Sequence, residues 1–211
     1  MSTVIRDPEV LSRYERDVSV VQGRPDGVVR PTEVDQVEQI VGLCAKEGTP
    51  VLAVGARTST TGASVATDGG VVVDMTALGT DAQVDPQTAT LRAQPGAVLA
   101  DLHLLARQHG FDMPVDPTSS PDCTIGGAVA TNASGPSSFR HGAIADWVVG
   151  LEFVDGLGQR RRLRSPGVPK RAMGPAALQD APRWFVGSEG TLGMLTEATL
   201  RLRPSPKSMI G

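Results

Sequence analysis

The amino-acid sequence predicts an α+β fold built from two parts. Between Val28 and Met75, short β-branched runs flank one clear helix in the order β-α-β-loop-β, which favours a small parallel unit. After Ala89, strands and helices follow each other without that alternation, and Thr196–Leu202 alternates apolar and polar residues as a half-buried strand does. We therefore expect a lead-in over residues 1–27, a first subdomain over 28–76, and a larger second subdomain over 83–204 with a mixed or antiparallel sheet and helices.

The first part has the clearer local signals. Thr32–Glu47 repeats apolar residues at helical spacing, Thr32 is a candidate N-cap, and Gly48 suits the position just after a helix. Short apolar runs on both sides of this helix predict strands. The other elements expected here are a leading helix at Pro8–Tyr14 and strands at Val28–Arg30, Pro50–Val54 and Gly70–Met75.

The second part mixes helices with paired strands. The run Val98–Gln108 is amphipathic and stops at Gly110, which predicts a helix. A turn at Gly156–Gly158 between two strand-like runs predicts a hairpin. We also expect a short helix at Gly126–Ala133 with its N-terminus facing a ligand, and an irregular segment at Pro166–Pro182. Strands are expected at Ala89–Ala93, Val148–Asp155, Gln159–Leu163, Phe185–Val186 and Gly193–Leu202.

Composition and charge exclude several classes of function. A net charge of -3 provides no basic footprint for nucleic acid or anionic lipid, and 3% aromatic residues disfavour a base-stacking platform. Cys44 and Cys123 form no CxxC motif and the histidines show no ligand spacing, so we expect neither a metal site nor a disulfide framework. The N-terminus MSTVIRDPEV does not resemble a signal peptide and no long apolar run occurs, which favours a cytoplasmic protein without a transmembrane segment.

Three glycine-rich stretches are the candidate functional elements. The first loop, Gly55–Gly62 (GARTSTTG), follows a predicted strand and offers amides and hydroxyls suited to a pyrophosphate, although it matches neither the P-loop nor the Rossmann motif. The central stretch, Thr124–Gly135 (TIGGAVATNASG), has too little bulk to form a core and favours close approach of a large polar ligand. The last loop is Gly187–Gly193 (GSEGTLG). Taken singly, they are also typical of an ordinary loop, of close helix–sheet packing and of a bulged turn, respectively.

The order and spacing of these stretches are more specific than any one of them. The matching residues are Val29–Val37, Pro50–Gly62, Gly69–Asp74, Pro95–Leu102, Pro114–Gly142, Asp146–Glu152 and Val186–Arg203. Together they resemble the FAD-binding domain of the vanillyl-alcohol oxidase / p-cresol methylhydroxylase (PCMH-type) flavoproteins, in the glycolate oxidase and D-lactate dehydrogenase branch. The resemblance extends from Tyr14 to Pro204. It implies a two-subdomain PCMH-type fold with FAD between the subdomains.

The resemblance also implies which residues bind the cofactor. The first loop would hold the pyrophosphate of FAD through backbone amides, with the residues Gly55, Ala56, Arg57, Thr58, Ser59, Thr60 and Gly62. The middle of the cofactor would lie against Asp116, Pro117, Thr124, Gly126 and Gly127. The flavin side would run along Ala130, Thr131, Asn132, Ser134 and Gly135, and Glu189, Gly190 and Leu195 would close over it.

Two departures from the family pattern fall in or beside the first loop. Val54 stands where many relatives have an arginine, and Arg57 stands where they have a glycine. The Arg57 side chain would either crowd the pyrophosphate or bind it through its guanidinium. A degenerate domain that no longer binds FAD is therefore one of the alternatives that the sequence leaves open.

The resemblance implies an FAD-dependent oxidoreductase acting on CH–OH donors. Its substrate would be a small 2-hydroxy acid such as glycolate or lactate, or a related alcohol, with hydride transfer to FAD. In the family a C-terminal substrate domain covers the flavin and supplies most catalytic side chains. We expect that domain to be absent from this chain, which ends at Gly211, so no catalytic residue is named. The alternative is a non-catalytic flavin-binding subunit or truncated module that needs a partner chain or a homodimer.

Overall fold

The computed structural model describes residues 3–165 and 180–205. A small parallel sheet contains β1 (Gly27–Val29), β2 (Val51–Val54) and β3 (Val71–Asp74), in the spatial order β1-β3-β2. Val72 in the central strand lies opposite Val28 on one side and Leu52 on the other. This order and the parallel pairing confirm the predicted β-α-β arrangement. We call this sheet and its helix the parallel unit.

The helix of the parallel unit is α2 (Val34–Glu47), which connects β1 to β2. Its N-cap is Glu33, one residue later than predicted, because the Gln36 side chain accepts hydrogen bonds from the amides of Thr32 and Glu33 at 2.8 and 3.4 Å. Gly48 ends the helix as predicted, with a φ of 65° that glycine adopts at low cost.

The second sheet is antiparallel and defines the antiparallel unit. Its strands in the described part of the chain are β4 (Ala82–Asp85), β5 (Thr90–Ala93), β7 (Val148–Val154), β8 (Arg160–Arg164) and β9 (Met194–Arg201), in the order β4-β5-β9-β7-β8. A separate pair joins β6 (Phe111–Asp112) to β10 (Arg203–Pro204). The antiparallel sheet confirms the predicted α+β class. Strand β4 was not predicted, because only Val84 among its four residues is buried and the alternating signal is weak.

Helices cover the antiparallel unit and its edges. They are α3 (Leu99–Gln108), α4 (Ile125–Ala130), α5 (Ser138–His141) and α6 (Ala181–Phe185), and α1 (Pro8–Ser12) precedes the parallel unit. The prediction of a strand at Phe185–Val186 is wrong, since Phe185 is the last residue of α6. Pro182 favours the first turn of a helix, and the Phe185 ring packs on Phe153 of β7 with ring centroids 4.5 Å apart.

The two units share apolar contacts. Val154 of β7 and Met194 of β9 are buried in one cluster with Val37 of α2 and Val73 of β3. At the surface, Arg160 Nε of β8 lies 2.8 Å from a Glu38 carboxylate oxygen of α2. Exposed ion pairs contribute little free energy, so the shared apolar cluster fixes how the units meet. A cleft remains between the first loop and α4.

Of the segment Pro166–Pro182, which was expected to be irregular, residues 166–179 lie outside the described residues, whereas Ala181 and Pro182 begin α6 instead. None of the helices within the described ranges combines the length and the apolar character that crossing a membrane requires.

Candidate functional site

A cleft of about 370 Å³ opens between the parallel unit and the antiparallel unit. Its volume is within the range of roughly 300–1,000 Å³ that small-molecule sites occupy. The first loop, the central stretch and the last loop all contribute to its walls. Most of the residues that the sequence predicted to bind a cofactor meet there: Gly55, Ala56, Arg57, Thr58, Ser59, Thr60, Pro117, Thr124, Gly126, Gly127, Ala130, Thr131, Asn132, Ser134, Glu189, Gly190 and Leu195.

Three of the predicted residues lie behind this lining. A Cβ atom on Gly62 would lie 2.8 Å from Val21 Cγ2, so Gly62 packs on the N-terminal segment. Asp116 accepts hydrogen bonds from the Ser137 amide at 3.1 Å and from the Ser137 hydroxyl at 2.7 Å. Gly135 packs against the Asp116 backbone so closely that a Cβ atom would clash with it. These residues support the wall of the cleft, and their direct contact with a cofactor stays a prediction.

The first loop presents a run of unpaired backbone donors. The amides of residues 56–60 have no hydrogen-bond acceptor among the residues described. Four of these five residues are half-buried. Arg57 within the run has a φ of 58°, in the left-handed region. Consecutive amides around a left-handed residue form the concave anion sites found in many phosphate-binding loops, so this loop suits a pyrophosphate.

Helix α4 contributes a flat surface to the cleft. Thr124 is its buried N-cap and accepts a hydrogen bond from the Gly127 amide at 3.3 Å. The amides of Ile125 and Gly126 donate to the carbonyls of Ala97 and Pro95 at 2.8 and 3.0 Å. The N-terminus of α4 lines the cleft through Thr124, Gly126 and Gly127, but the Ile125 and Gly126 amides are already paired and are not free to bind a ligand. What α4 offers instead is close approach at Gly127.

The last loop docks on the C-terminal end of α4. The amides of Gly187 and Glu189 donate to the carbonyls of Val129 and Ala130, at 3.0 and 2.9 Å. This docking supplies a hydrogen-bond donor to the Ala130 carbonyl at the end of the helix, where carbonyls lack partners within the helix. The Ser188 hydroxyl oxygen is buried and has no hydrogen-bond partner in the part of the chain that the structure describes. The loop thereby completes the wall and carries Glu189 to the edge of the cleft.

Few titratable side chains line the cleft. Among the described lining residues they are Arg57, Cys123 and Glu189. Burial raises the pKa of the Cys123 thiol, which keeps it protonated and unreactive near neutral pH. A protonated thiol is a poor nucleophile, so the cleft is suited to binding rather than to covalent catalysis by this cysteine. No group of three or more His, Cys, Asp or Glu in the described ranges is arranged to hold a metal ion.

Several lining residues were not predicted as site residues. Thr61 continues the hydroxyl run of the first loop, and Ser119 lies in the polar loop before α4, so residue type alone could have indicated both. Met75 and Phe185 also reach the cleft. Apolar side chains at the ends of strands and helices usually belong to a core, so the sequence carries no signal that separates these two from core residues.

Comparison with known proteins assigns the chain to a family. The profile of the FAD binding domain family matches residues 25–164, which include the first loop and the central stretch. The chain belongs to this family. The resemblance to PCMH-type flavoproteins is thereby confirmed, and FAD is the cofactor of the domain.

Curated relatives of this FAD-binding domain are longer proteins. The glycolate oxidase subunit GlcD of Bacillus subtilis is 33% identical over 187 residues, which make up 89% of this chain and 39% of that protein. The D-lactate dehydrogenase of Anaerostipes hadrus is 34% identical over 98% of this chain and 43% of its own length. The D-2-hydroxyglutarate dehydrogenase of Stutzerimonas stutzeri is 33% identical over 98% of this chain and 44% of its own length. The chain thus spans about two fifths of the length of these relatives.

A solved structure shows the same fold. Alkyldihydroxyacetonephosphate synthase superposes on the FAD-binding domain with a TM-score of 0.80 and 26% sequence identity. The superposition covers 97% of this chain and 41% of that chain. The two-sheet architecture is therefore that of the PCMH-type fold, as predicted.

Proposed function

We propose that FAD lies in the cleft between a first subdomain over residues 28–76 and a second over residues 83–204. The observation that carries this placement is the run of unpaired amides at residues 56–60, which faces the glycine surface of α4 across the cleft. An anionic pyrophosphate would satisfy these donors, and the lack of a side chain at Gly127 leaves room for a flat, bulky group. The flavin end would run along the part of the central stretch that follows α4.

Each wall has its own task in this arrangement. The first loop holds the phosphates, and α4 with the residues after it orients the ring system. The last loop covers the cofactor from the side of Glu189. Together the walls position the cofactor and exclude water from it.

We further propose that the chain serves the oxidation of a small 2-hydroxy acid or a related alcohol. The names of the curated relatives denote glycolate, D-lactate and D-2-hydroxyglutarate, which share a hydroxyl on the carbon next to a carboxylate. FAD, when bound, supplies the hydride acceptor for such a reaction. A cytoplasmic location is part of this proposal, and the two free, buried cysteines support it because free thiols are typical of reducing compartments.

A second candidate function is a flavin-binding subunit whose partner chain, or second copy, carries the substrate site. The described lining of the cleft contains no histidine and no carboxylate other than Glu189, so it offers little for proton abstraction from a substrate.

Two measurements test these proposals in sequence. The purified chain should be yellow, or should gain thermal stability on adding FAD, because a ligand that binds only the folded state stabilises it by about 2.7 kcal/mol at 100 times its Kd. A colourless chain without any FAD-induced shift would overturn the placement of FAD in this cleft. If FAD binds, the next test is whether glycolate or lactate reduces a dye in the presence of the chain. Dye reduction supports the oxidoreductase, and no dye reduction supports the flavin-binding subunit.

A further inference from the structure

Arg57 occupies a backbone position that normally favours glycine. Its φ of 58° places a side chain with a Cβ atom in the left-handed region, which L-residues rarely adopt. The guanidinium carbon lies 4.9 Å from the centre of the Tyr14 ring, within the range of a cation–π contact. Stacking on Tyr14 therefore offsets the backbone strain and holds the Arg57 side chain in one place.

Tyr14 is itself held rigidly. It is 1% exposed, its hydroxyl donates to Asp74 Oδ2 at 2.6 Å, and it accepts a hydrogen bond from Arg30 Nη2 at 2.9 Å. Asp74 also lies 3.5 Å from Arg30 Nε. The buried carboxylate is thus paired with Arg30 and Tyr14, so the aromatic ring is a fixed platform that comes from the N-terminal segment of the chain.

Arg57 has no carboxylate partner of its own. It forms no ion pair and no hydrogen bond through its guanidinium with any residue that the structure describes. The same residue lines the cleft beside the unpaired amides of residues 56–60. An uncompensated cation next to a run of N–H donors recognises a ligand with more than one negative charge, and a guanidinium can bind two phosphate oxygens at once.

We propose that the Arg57 side chain binds the pyrophosphate of the cofactor and that Tyr14 is the positioning residue that holds it there. This inference rests on the proposed location of FAD in the cleft. It adds a charged side-chain contact to the backbone donors of the first loop. The pyrophosphate is bound here by a side chain as well as by backbone amides, and the N-terminal segment is part of the cofactor site through Tyr14.

The test compares three probes on the wild-type chain, Arg57→Gly and Arg57→Lys. FAD and ADP both carry a pyrophosphate, whereas riboflavin carries none. We expect Arg57→Gly to bind FAD and ADP about 10- to 100-fold more weakly and riboflavin unchanged, because a charge-assisted contact is lost. The affinity of Arg57→Lys for FAD and ADP should lie between those of the wild type and Arg57→Gly, since lysine keeps the charge but not the planar guanidinium. Arg57→Gly should stay folded, because glycine suits this backbone conformation.

Salt provides a second readout of the same charge. Raising the ionic strength should weaken FAD binding to the wild-type chain more steeply than binding to Arg57→Gly. If Arg57→Gly binds FAD and ADP with the same Kd values as the wild-type chain does, the inference is overturned while FAD stays in the cleft. A wild-type chain that binds neither FAD nor ADP would overturn the proposed function and this inference together.

The role of Tyr14 is tested with a double-mutant cycle. Tyr14→Phe keeps the ring under Arg57 and should bind ADP as the wild type does, whereas Tyr14→Leu should bind it less tightly. In the Arg57→Gly background, Tyr14→Leu should cause no further loss of ADP affinity if Tyr14 acts through Arg57. Additive losses would show that Tyr14 only supports the fold and would overturn its positioning role.

Discussion

The Thr61 hydroxyl donates a hydrogen bond of 3.3 Å to the Glu189 carboxylate and so joins the two walls of the cleft. Thr61 belongs to the first loop of the parallel unit, and Glu189 belongs to the loop that docks on the end of α4. Both residues are exposed, so the bond contributes little to the stability of the fold. Because it lies at the edge of the cleft, we expect it to close over a cofactor bound there.

Removing this bond should speed the release of FAD. Glu189→Ala and Thr61→Val each delete one partner, and we expect FAD to dissociate about 3- to 10-fold faster, as the loss of one exposed hydrogen bond predicts. The free energy of unfolding of the cofactor-free chain should change by less than about 0.5 kcal/mol. Stopped-flow displacement of FAD measures the rate. If the two substitutions accelerate release additively in the double variant, the residues act independently and the closure does not exist.

Gly126 should be intolerant of even one methyl group. A Cβ atom there would lie 2.9 Å from Pro95 Cβ. The Gly126 amide also donates to the Pro95 carbonyl, so the backbone cannot move away from Pro95 without breaking this hydrogen bond. We expect Gly126→Ala to lower the free energy of unfolding by about 1–3 kcal/mol. Urea denaturation of the cofactor-free chain measures this loss. A change below about 0.5 kcal/mol would mean that α4 is less tightly packed on Pro95 than the structure indicates.

Local signals were sufficient to predict most of the fold and the outline of the cleft. The periodicity of α2 and the glycine at its end set its position within one residue. The first loop could be predicted as a candidate binding loop because it follows a predicted strand and carries many amides and hydroxyls. The small residues of the central stretch indicated close approach of a ligand, although Ile125, Ala128 and Val129 in that stretch are buried in the core of the antiparallel unit. In all of these cases the information lies within a dozen neighbouring residues.

What the sequence did not reveal depends on residues that are far apart along the chain. The bond between Thr61 and Glu189 and the stacking of Arg57 on Tyr14 exist only once the units have packed together. The hydrogen bond between Asp116 and Ser137, which places Asp116 behind the lining of the cleft, also joins residues that are far apart in the sequence. Phe185 has strand-like neighbours, yet packing on Phe153 and the preceding proline favour a helix.

His103 should make the stability depend on pH. Its Nε2 atom lies 2.8 Å from the Val115 carbonyl oxygen, and burial lowers the pKa of His103 below the ordinary 6.5. The unfolded chain therefore takes up a proton at this residue at a higher pH than the folded chain. The contribution of neutral His103 is complete above its unfolded pKa and is lost as the pH falls below that value.

Denaturation at two pH values checks this effect. We expect the wild-type chain to lose more stability than His103→Gln between about pH 7.5 and about pH 5.5, because glutamine retains a donor for the Val115 carbonyl but does not titrate. Parallel pH profiles for the two proteins would show that His103 titrates normally in the folded state. A steeper profile for the variant would contradict the direction of the shift.

Cys123 should report on occupancy of the cleft. It lines the cleft, whereas Cys44 lies on the buried face of α2 and is not part of the lining, and burial raises the pKa of both thiols. Both should therefore react slowly with iodoacetamide in the folded chain. Adding FAD should slow the labelling of Cys123 more than that of Cys44, as followed by mass spectrometry. Equal protection of the two cysteines would indicate that FAD stabilises the chain without lying beside Cys123.

The most direct measurement is FAD binding by Gly127→Leu. A Cβ atom at Gly127 meets only the Thr124 hydroxyl oxygen, at 3.5 Å, so a leucine fits the helix and projects into the cleft. Gly156→Leu is the matched control, because Gly156 is exposed in a turn with nothing within 4 Å of an added Cβ atom. Titration with FAD should show that Gly127→Leu stays folded but binds at least about 100-fold more weakly than the wild type and the control, about 2.7 kcal/mol in binding free energy. A folded Gly127→Leu that binds FAD as tightly as the wild type would contradict the placement of FAD in this cleft.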